Sequence, residues 1–566
     1  MNLRCCVVLA LLAATAGAQS FPVRGTHPGA AAIDLAGYAV SRLGDVDGDT
    51  IPDYIVGIHG TTSPIGPLTG RVLVVSGATR QTIYALNGSG AIDRFGFAID
   101  GGKDVDGDGA PDFIVGAPST FSASGVGQGS VYVFSGSNGA NIFTINAPTF
   151  DALGYDVALI GDVNFDGRSE FAAAEGSFWN GSIAAPNRVY LYDGASGAVL
   201  RTFTAPTTGT TFGIAIAGVG DLDGDLANDI GIGFPTWQNA VGATTGRVEI
   251  YSGALGTSII NLNPPGGLAT SLFGLSLASI GDVNGDGRPE LSIGGPGAFA
   301  PSFLTTVGTG LGFAAVYDGA TGAILYQANA TLLFVPVIVT GLGYATAGGE
   351  DIDGDAVPDF VVGAPGISDG TPFQAGTAGS LLTFSGATGT EIRRINRSQS
   401  GQTFGQSVAL IGDLDNDGFG EILAGSPGLD VGTALDVGSA YVYSLVGAAN
   451  YGTAFNGMSL QFIAGAPGTA TLGTILSAGA SPFAPGFIAA NVAAANTTFG
   501  VPAFPVYLAI DGQMLVANIA YNGSGVWAQA LDLRQPAISG RVLYAQTFSA
   551  TNGIAVASNG LELLFL

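Results

Sequence analysis

Lysine and histidine are almost missing from this 566-residue chain: Lys103 is the one lysine, and His27 and His59 are the only histidines. Cysteine is confined to Cys5 and Cys6. With 43 acidic residues against 17 basic ones, the formal net charge of −26 argues against nucleic acid or anionic membrane surfaces as partners. Two lone histidines leave little material for His-based catalysis and read as structural or solvated side chains. Beyond the N-terminal segment there is no uninterrupted apolar run of about 20 residues, so no transmembrane segment is expected.

The first residues, "MNLRCCVVLALLAATAGAQS", combine a positive Arg4, an apolar run from Cys5 to Ala14 and a small-residue site at Ala16-Gly17-Ala18. This reads as a signal peptide over 1–18 and predicts a secreted protein, extracellular or at the cell surface. The two cysteines begin the apolar run instead of closing it, unlike a lipid-attachment site. The mature chain is then free of cysteine, which removes disulfides, thiolate metal sites and cysteine nucleophiles together.

Glycine, in contrast, reaches 92 residues, and short Val, Ile, Tyr and Phe segments recur between Gly, Pro and Asp clusters. Helix-period stripes are hard to find, so the texture is all-β. At this length the chain can bury a large core and should hold more than one domain. The stretch "GDVDGDTIPDYIVG" at 44–57 places four acidic side chains on one tight loop ahead of an apolar strand. It recurs as "DVDGDGAPD" from Asp104, "DVNFDGRSE" from Asp162, "DLDGDLAND" from Asp221, "DVNGDGRPE" from Asp282, "DIDGDAVPD" from Asp351 and "DLDNDGFGE" from Asp413, at spacings of 58 to 69 residues. Upstream lies an aromatic residue or Leu followed by Gly, from Phe95-Gly96 to Phe404-Gly405, with Gly37-Tyr38 a looser version. Downstream, an apolar strand ends in a Gly-x-Pro corner such as "IVGAP", and a third strand such as "GSVYVFSG" precedes a turn and a fourth. Four short strands per unit of about 60 residues, seven times over, predict the blades of a β-propeller.

These repeats resemble the FG-GAP repeats of integrin α subunits and their bacterial relatives, over roughly residues 37 to 446. The resemblance implies a seven-bladed propeller within 19–449. In it the acidic loop joins the first two strands of each blade and binds Ca²⁺ on one face of the disc, up to seven ions in all. Carried onto this chain, the resemblance makes positions 1, 3, 5 and 9 side-chain ligands and position 7 a carbonyl ligand. The sets are Asp45, Asp47, Asp49, Ile51 and Asp53; Asp104, Asp106, Asp108, Ala110 and Asp112; Asp162, Asn164, Asp166, Arg168 and Glu170; and Asp221, Asp223, Asp225, Ala227 and Asp229. Blades 5 to 7 add Asp282, Asn284, Asp286, Arg288 and Glu290; Asp351, Asp353, Asp355, Val357 and Asp359; and Asp413, Asp415, Asp417, Phe419 and Glu421.

Elementary chemistry points the same way, because Ca²⁺ takes six to eight oxygens and alternating carboxylates on a tight loop supply them. Unoccupied, the same carboxylates repel one another. Of the 43 acidic residues, 26 stand at these positions, so the charge excess is largely a metal-site inventory. A helical EF-hand does not fit, since the last ligand position is 9 and strands follow. Asp/Gly-rich turns without metal are the alternative. Position 6 is Gly in four loops but Thr50, Leu226 and Ala356 in the others, where a positive φ would be strained. Asn164 and Asn284 offer a neutral oxygen and should weaken binding. The third repeat departs furthest, with Phe165 inside its loop and "AAAEG" in place of the corner.

No catalytic constellation emerges. Gly366-Ile367-Ser368-Asp369-Gly370 matches a nucleophile elbow in letters, but it follows Pro365 in a loop and lacks a histidine partner. "GTGLG" from Gly308 has no βαβ unit around it. About 18 residues separate the signal from the first repeat, too few for a catalytic domain. Binding is what remains. The loops between second and third strands, on the face away from the acidic loops, carry Phe121, Phe178, Trp179, Trp237, Phe299, Phe303 and Phe373. These either meet an extracellular protein or glycan ligand or pack onto the blade rims. By resemblance, integrin-type propellers bind partner subunits and ligands on this face. No metal-dependent adhesion motif or inserted domain interrupts the repeats, so an integrin heterodimer is not expected.

Residues 450–566 lack acidic loops and alternate as "FPVYLAIDG" and "RVLYAQTF" do, predicting a small antiparallel, sandwich-like β domain. This region faintly resembles C-terminal modules of exported planctomycete repeat proteins. The seventh repeat runs into "LVGAANYGTAF", a poor fourth strand. A strand around Phe21 to Arg24 is therefore expected to complete the seventh blade, as N-terminal strands do in the integrin family; closure by Tyr451 to Phe455 is the alternative. The function predicted from these observations is a calcium-binding adhesion or interaction scaffold. The competing reading is an extracellular polysaccharide-active enzyme, or a lectin, on the same propeller. Near absence of His and Lys disfavours the enzyme.

Overall fold

Strands that are apolar on both faces need cover on both sides, and the second strand of each repeat is of this kind. In the computed structural model, Asp53–Ile58, Asp112–Ala117 and Asp359–Ala364 are buried along their whole length. The structure describes residues 23–118, 128–147, 152–176, 187–205, 211–267, 271–297, 312–329, 341–366, 379–397 and 402–444, together with strands of the C-terminal region.

Each repeat folds into a four-stranded antiparallel sheet. Blade 1 consists of Val40–Gly44, Asp53–Ile58, Arg71–Val75 and Thr82–Asn87 in sequential order. The same meander recurs over 98–146, 157–204, 215–262, 276–329 and 345–396. Burial falls from the inner strands outward: Arg71–Val75 alternates between buried and half-buried, and Thr82–Asn87 is mostly exposed. The first strands neighbour one another all the way round, the seventh against the first, and so form the inner ring.

The seventh blade contains Val408–Leu410, Ile422–Ser426 and Ser439–Tyr443, and its fourth strand is Val23–Pro28 from the N-terminus. The expected latch is present, a few residues later than Phe21 to Arg24. Val23 pairs with Tyr443 and Pro28 with Ser439, and the register slips between Val23 and Gly25. Arg24 is the extra residue of that bulge, and its guanidinium lies 3.2 Å from Asp415. His27 bonds the Tyr54 hydroxyl of blade 1 at 2.7 Å, so the latch grips the first blade as well as the last.

The core consists of seven apolar clusters among the described residues, each at a seam between adjacent blades. Leu43, Ile55 and Val72 meet Phe113 and Val115 at the first seam, and Ala409, Leu423 and Val442 meet Val40, Tyr54 and Val56 at the seam that closes the ring. Phe95, Phe212, Phe273, Leu342 and Phe404 are at most 1% exposed, as the aromatic-Gly pattern requires. Glycine at the strand corner is a steric necessity. A Cβ on Gly116 would lie 2.1 Å from the Gly154 carbonyl of the next blade, and one on Gly425 would lie 1.9 Å from the Gly37 carbonyl. Blade 3 has Ala174 there, yet Glu170–Ala174 still forms its second strand.

In the C-terminal region Ala470–Ala478, Val542–Thr551 and Ile554–Ala557 form one antiparallel sheet. Ile488–Ala490, Phe504–Ile510 and Gln513–Ile519 form another. The chain divides into two compact units between Gly447 and Ala448. The signal segment, the nucleophile-elbow residues after Gly366 and Tyr451 to Phe455 lie outside the described residues.

Candidate metal centre

All seven acidic loops join the first and second strands of their blades, where the sequence pattern put them. In blades 1 to 6 the first strand bulges immediately before the loop, as between Arg42 and Gly44 or Gly101 and Lys103, which turns the chain out of the sheet.

Three hydrogen bonds shape every loop. The position-1 carboxylate accepts from the amide of position 6, as Asp45 Oδ2 does from Thr50 at 2.8 Å. The position-5 carboxylate accepts from position 7, as Asp49 Oδ1 does from Ile51 at 2.9 Å. The position-9 carboxylate accepts from position 2, as Asp53 Oδ2 does from Val46 at 2.8 Å. Backbone amides thus fix the orientation of each of these carboxylates and preset where their oxygens sit.

This winding demands left-handed residues at positions 4 and 6. Gly48, Gly107, Gly224, Gly285 and Gly354 meet it at position 4, whereas Phe165 and Asn416 adopt φ of 64° and 58° there. At position 6, Thr50, Leu226 and Ala356 adopt 74°, 72° and 65°, which is the strain expected from their side chains. Leu226 and Phe165 are left 82% and 62% exposed.

The residues present suit a hard cation. Asp45, Asp47 and Asp53 bring carboxylate oxygens within 4.8 Å of one another, as do Asp104, Asp106 and Asp108; Asp221, Asp223 and Asp225; Asp282, Asp286 and Glu290; and Asp351, Asp353 and Asp355. In the seventh loop Asp417 Oδ2 is buried without a hydrogen-bond partner. Burial and then Asp415 beside it push the Asp417 carboxyl up to about 6. Loops 3 and 5 relieve the repulsion internally: Asn284 Nδ2 donates to Asp286 at 3.2 Å and to Glu290 at 2.8 Å, and Asn164 Nδ2 donates to Asp166 at 3.0 Å.

Position 9 has a second task that the ligand pattern does not reveal. Asp53 is fully buried, and its Oδ1 accepts from Gly77 at 2.8 Å, in the turn after the third strand. Asp112, Asp229 and Asp359 do the same with Gly136, Gly253 and Gly386. Burial pushes Asp53, Asp112 and Asp229 up to about 6 and Glu170, Asp359 and Glu421 up to about 7, against the lowering effect of these amides. A Cβ on Gly77 would lie 1.8 Å from the Pro52 carbonyl, and one on Gly136 would lie 1.9 Å from that of Pro111. The signal was the Ser-Gly or Asp-Gly ending of the third strands. The residue after that glycine also contributes in blade 2, where Ser137 in the same turn donates to Asp108 Oδ2 at 2.7 Å.

Of the aromatic loop residues, Trp237 alone is described, and it packs down. Its ring meets Phe234 edge-on at 5.2 Å and lies under the Arg247 guanidinium at 4.9 Å. Trp237 is thus a half-buried residue packed onto the blade rim; Phe121, Phe178, Trp179, Phe299, Phe303 and Phe373 lie outside the described residues. His59 is buried against Tyr38 at 4.1 Å and Phe97 at 5.4 Å, and burial lowers its pKa to about 3.

The FG-GAP repeat family model matches residues 95–134, from Phe95-Gly96 to the end of the third strand of blade 2. Integrin alpha-3 of Mus musculus is 32% identical over 188 residues, covering 31% of this chain and 16% of that protein. Integrin alpha-6 of Gallus gallus is 31% identical over 159 residues, 27% of this chain and 13% of its own length. Integrin alpha-V of Gallus gallus is 27% identical over 256 residues, 42% of this chain and 24% of its own. The chain therefore spans less than a quarter of each of these relatives. Residues 95–134 thus match the FG-GAP repeat, and the chain is a seven-bladed β-propeller similar in sequence, over part of its length, to integrin α subunits.

Proposed function

We propose that this chain is an exported propeller whose hairpin loops bind Ca²⁺ as structural ions, and that the disc serves as an adhesion or interaction scaffold for an extracellular protein or glycan. The observation that carries the reading is the repeated convergence of loop carboxylates to within 4.8 Å on loops preset by backbone amides. Positions 1, 3, 5 and 9, with the position-7 carbonyl, would hold the ion, which would supply the charge that lets these oxygens stay together. Similarity to integrin α subunits supports a binding role rather than a catalytic one.

Isothermal titration of the chelator-treated protein with Ca²⁺, with bound metal counted by atomic emission, tests the metal reading. Several ions per chain are expected, up to seven, and none bound at millimolar Ca²⁺ would refute it. A glycan and protein array probed in Ca²⁺ tests the scaffold role, with a ligand retained in Ca²⁺ and lost in EDTA as the expected result.

A further inference from the structure

Loops 3 and 5 differ from the rest as a set: each has Asn at position 3, Arg at position 7 and Glu at position 9. Both arginines reach backwards into the loop of the preceding blade. Arg288 Nη1 donates to the Leu222 carbonyl of loop 4, and its Nη2 would lie 3.1 Å from a Cβ on Gly224, the residue between Asp223 and Asp225. Arg168 Nη1 lies 3.5 Å from the Val105 carbonyl of loop 2, and its guanidinium would lie 3.4 Å from a Cβ on Gly107, between Asp106 and Asp108. Each recipient loop has four carboxylates at its ligand positions, and each donor loop has three. The guanidinium is held by a carbonyl and stands against the glycine between two of the recipient acids, so it adds a positive charge to that loop without forming an ion pair with its carboxylates.

We propose that Arg168 and Arg288 are affinity-setting residues that act across the blade seams. They lower the Ca²⁺ affinity of loops 2 and 4 below that of loops 1 and 6, and they stabilise loops 2 and 4 when no ion is bound. A fixed cation competes electrostatically with an incoming divalent one, and the same charge relieves carboxylate repulsion in its absence. The position-7 residue whose side chain reaches back is also the one whose carbonyl is the expected ligand in its own loop. Filling loop 5 therefore orders the arginine that sets loop 4. The inference rests on the calcium reading above.

Arg288→Met keeps the length of the side chain and removes its charge. Titration with Ca²⁺ should show one site tightened about three- to ten-fold, the range for removing a near, partly screened charge. Melting in EDTA should fall relative to wild type. In an Asp223→Asn background, which disables loop 4, the Arg288→Met tightening should vanish, while in an Asp47→Asn background it should persist. Arg168→Met with Asp106→Asn gives an independent pair should one variant fold poorly. Unchanged affinity in both arginine variants, or an effect that survives loss of the recipient loop, overturns the proposal. Wild-type protein that binds no Ca²⁺ would instead overturn the reading beneath it.

Discussion

At the scale of single residues, the acidic positions were legible because their alternation appears directly in the sequence, whereas burial created by a neighbouring blade was not. Asp156, immediately before the first strand of blade 3, accepts from the Ile216 amide of blade 4 at 2.7 Å. Burial, and more weakly Asp100, pushes its carboxyl up to about 8. A folded-state value above the unfolded one favours the protonated form. The carboxyl therefore costs nothing near pH 4, and the penalty grows as pH rises to about 8. Asp156→Asn keeps an accepting oxygen and should flatten this dependence. We expect a gain of at least about 1 kcal/mol at pH 8 and little change near pH 4, read from melts in saturating Ca²⁺. Equal effects at both values would contradict the assignment. Glycines divide in the same way. Gly136→Ala drives a methyl into the Pro111 carbonyl and should cost about 3 kcal/mol or more in urea melts. Gly109→Ala, at φ 87° with nothing within 4 Å, should cost only about 1 kcal/mol. Leu226→Gly should stabilise by about 0.5 kcal/mol, as released left-handed strain outweighs the added freedom of the unfolded chain.

Among elements, the latch strand was legible through what its partner lacked. A seventh blade without a good fourth strand, and an N-terminal segment without another task, pointed to each other. Its register was not legible, because it depends on the bulge at Arg24 and on the His27 to Tyr54 contact, both made to residues remote in sequence. Deleting 19–29 exposes the edge of Ser439–Tyr443 and should lower the melting temperature by several degrees in saturating Ca²⁺. Unchanged melting would refute the latch. Arg24→Ala should cost less than about 1 kcal/mol, since the pair with Asp415 is partly exposed. The loops themselves can be ranked. Asp108→Ala removes a carboxylate held by Ser137 and the Ala110 amide, and should abolish one Ca²⁺ site. Asn164→Ala removes a neutral oxygen, not a carboxylate, from the loop that departs furthest from the pattern, and should change affinity less.

For the whole molecule, seven blades and seven seams followed from the repeat period, while the division of labour at position 9 between ligand and staple did not. With Ca²⁺ bound as proposed, that division would make calcium dependence a function of pH. The position-9 carboxyls that burial lifts to about 6 or 7 hold protons which an entering ion must displace. Without Ca²⁺ their contribution is intact below about pH 4 and is lost as pH rises towards 7, whereas stabilisation by Ca²⁺ grows over the same range. On the proposed reading each site would add about 1.4 kcal/mol at roughly ten times Kd, so seven sites would approach 10 kcal/mol at neutral pH. Calorimetry should show EDTA lowering the melting temperature strongly at pH 7.5 and weakly at pH 5.5. Equal shifts would refute the coupling. The latch also imposes an order in time. Val23 pairs with Tyr443, so the latch strand, once it has left the ribosome, waits for a partner made about 400 residues later, roughly 20 to 80 s at ordinary elongation rates. Six blades can close their own sheets during that interval, but the ring has no final seam until synthesis has passed the seventh, so its completion is a single late event.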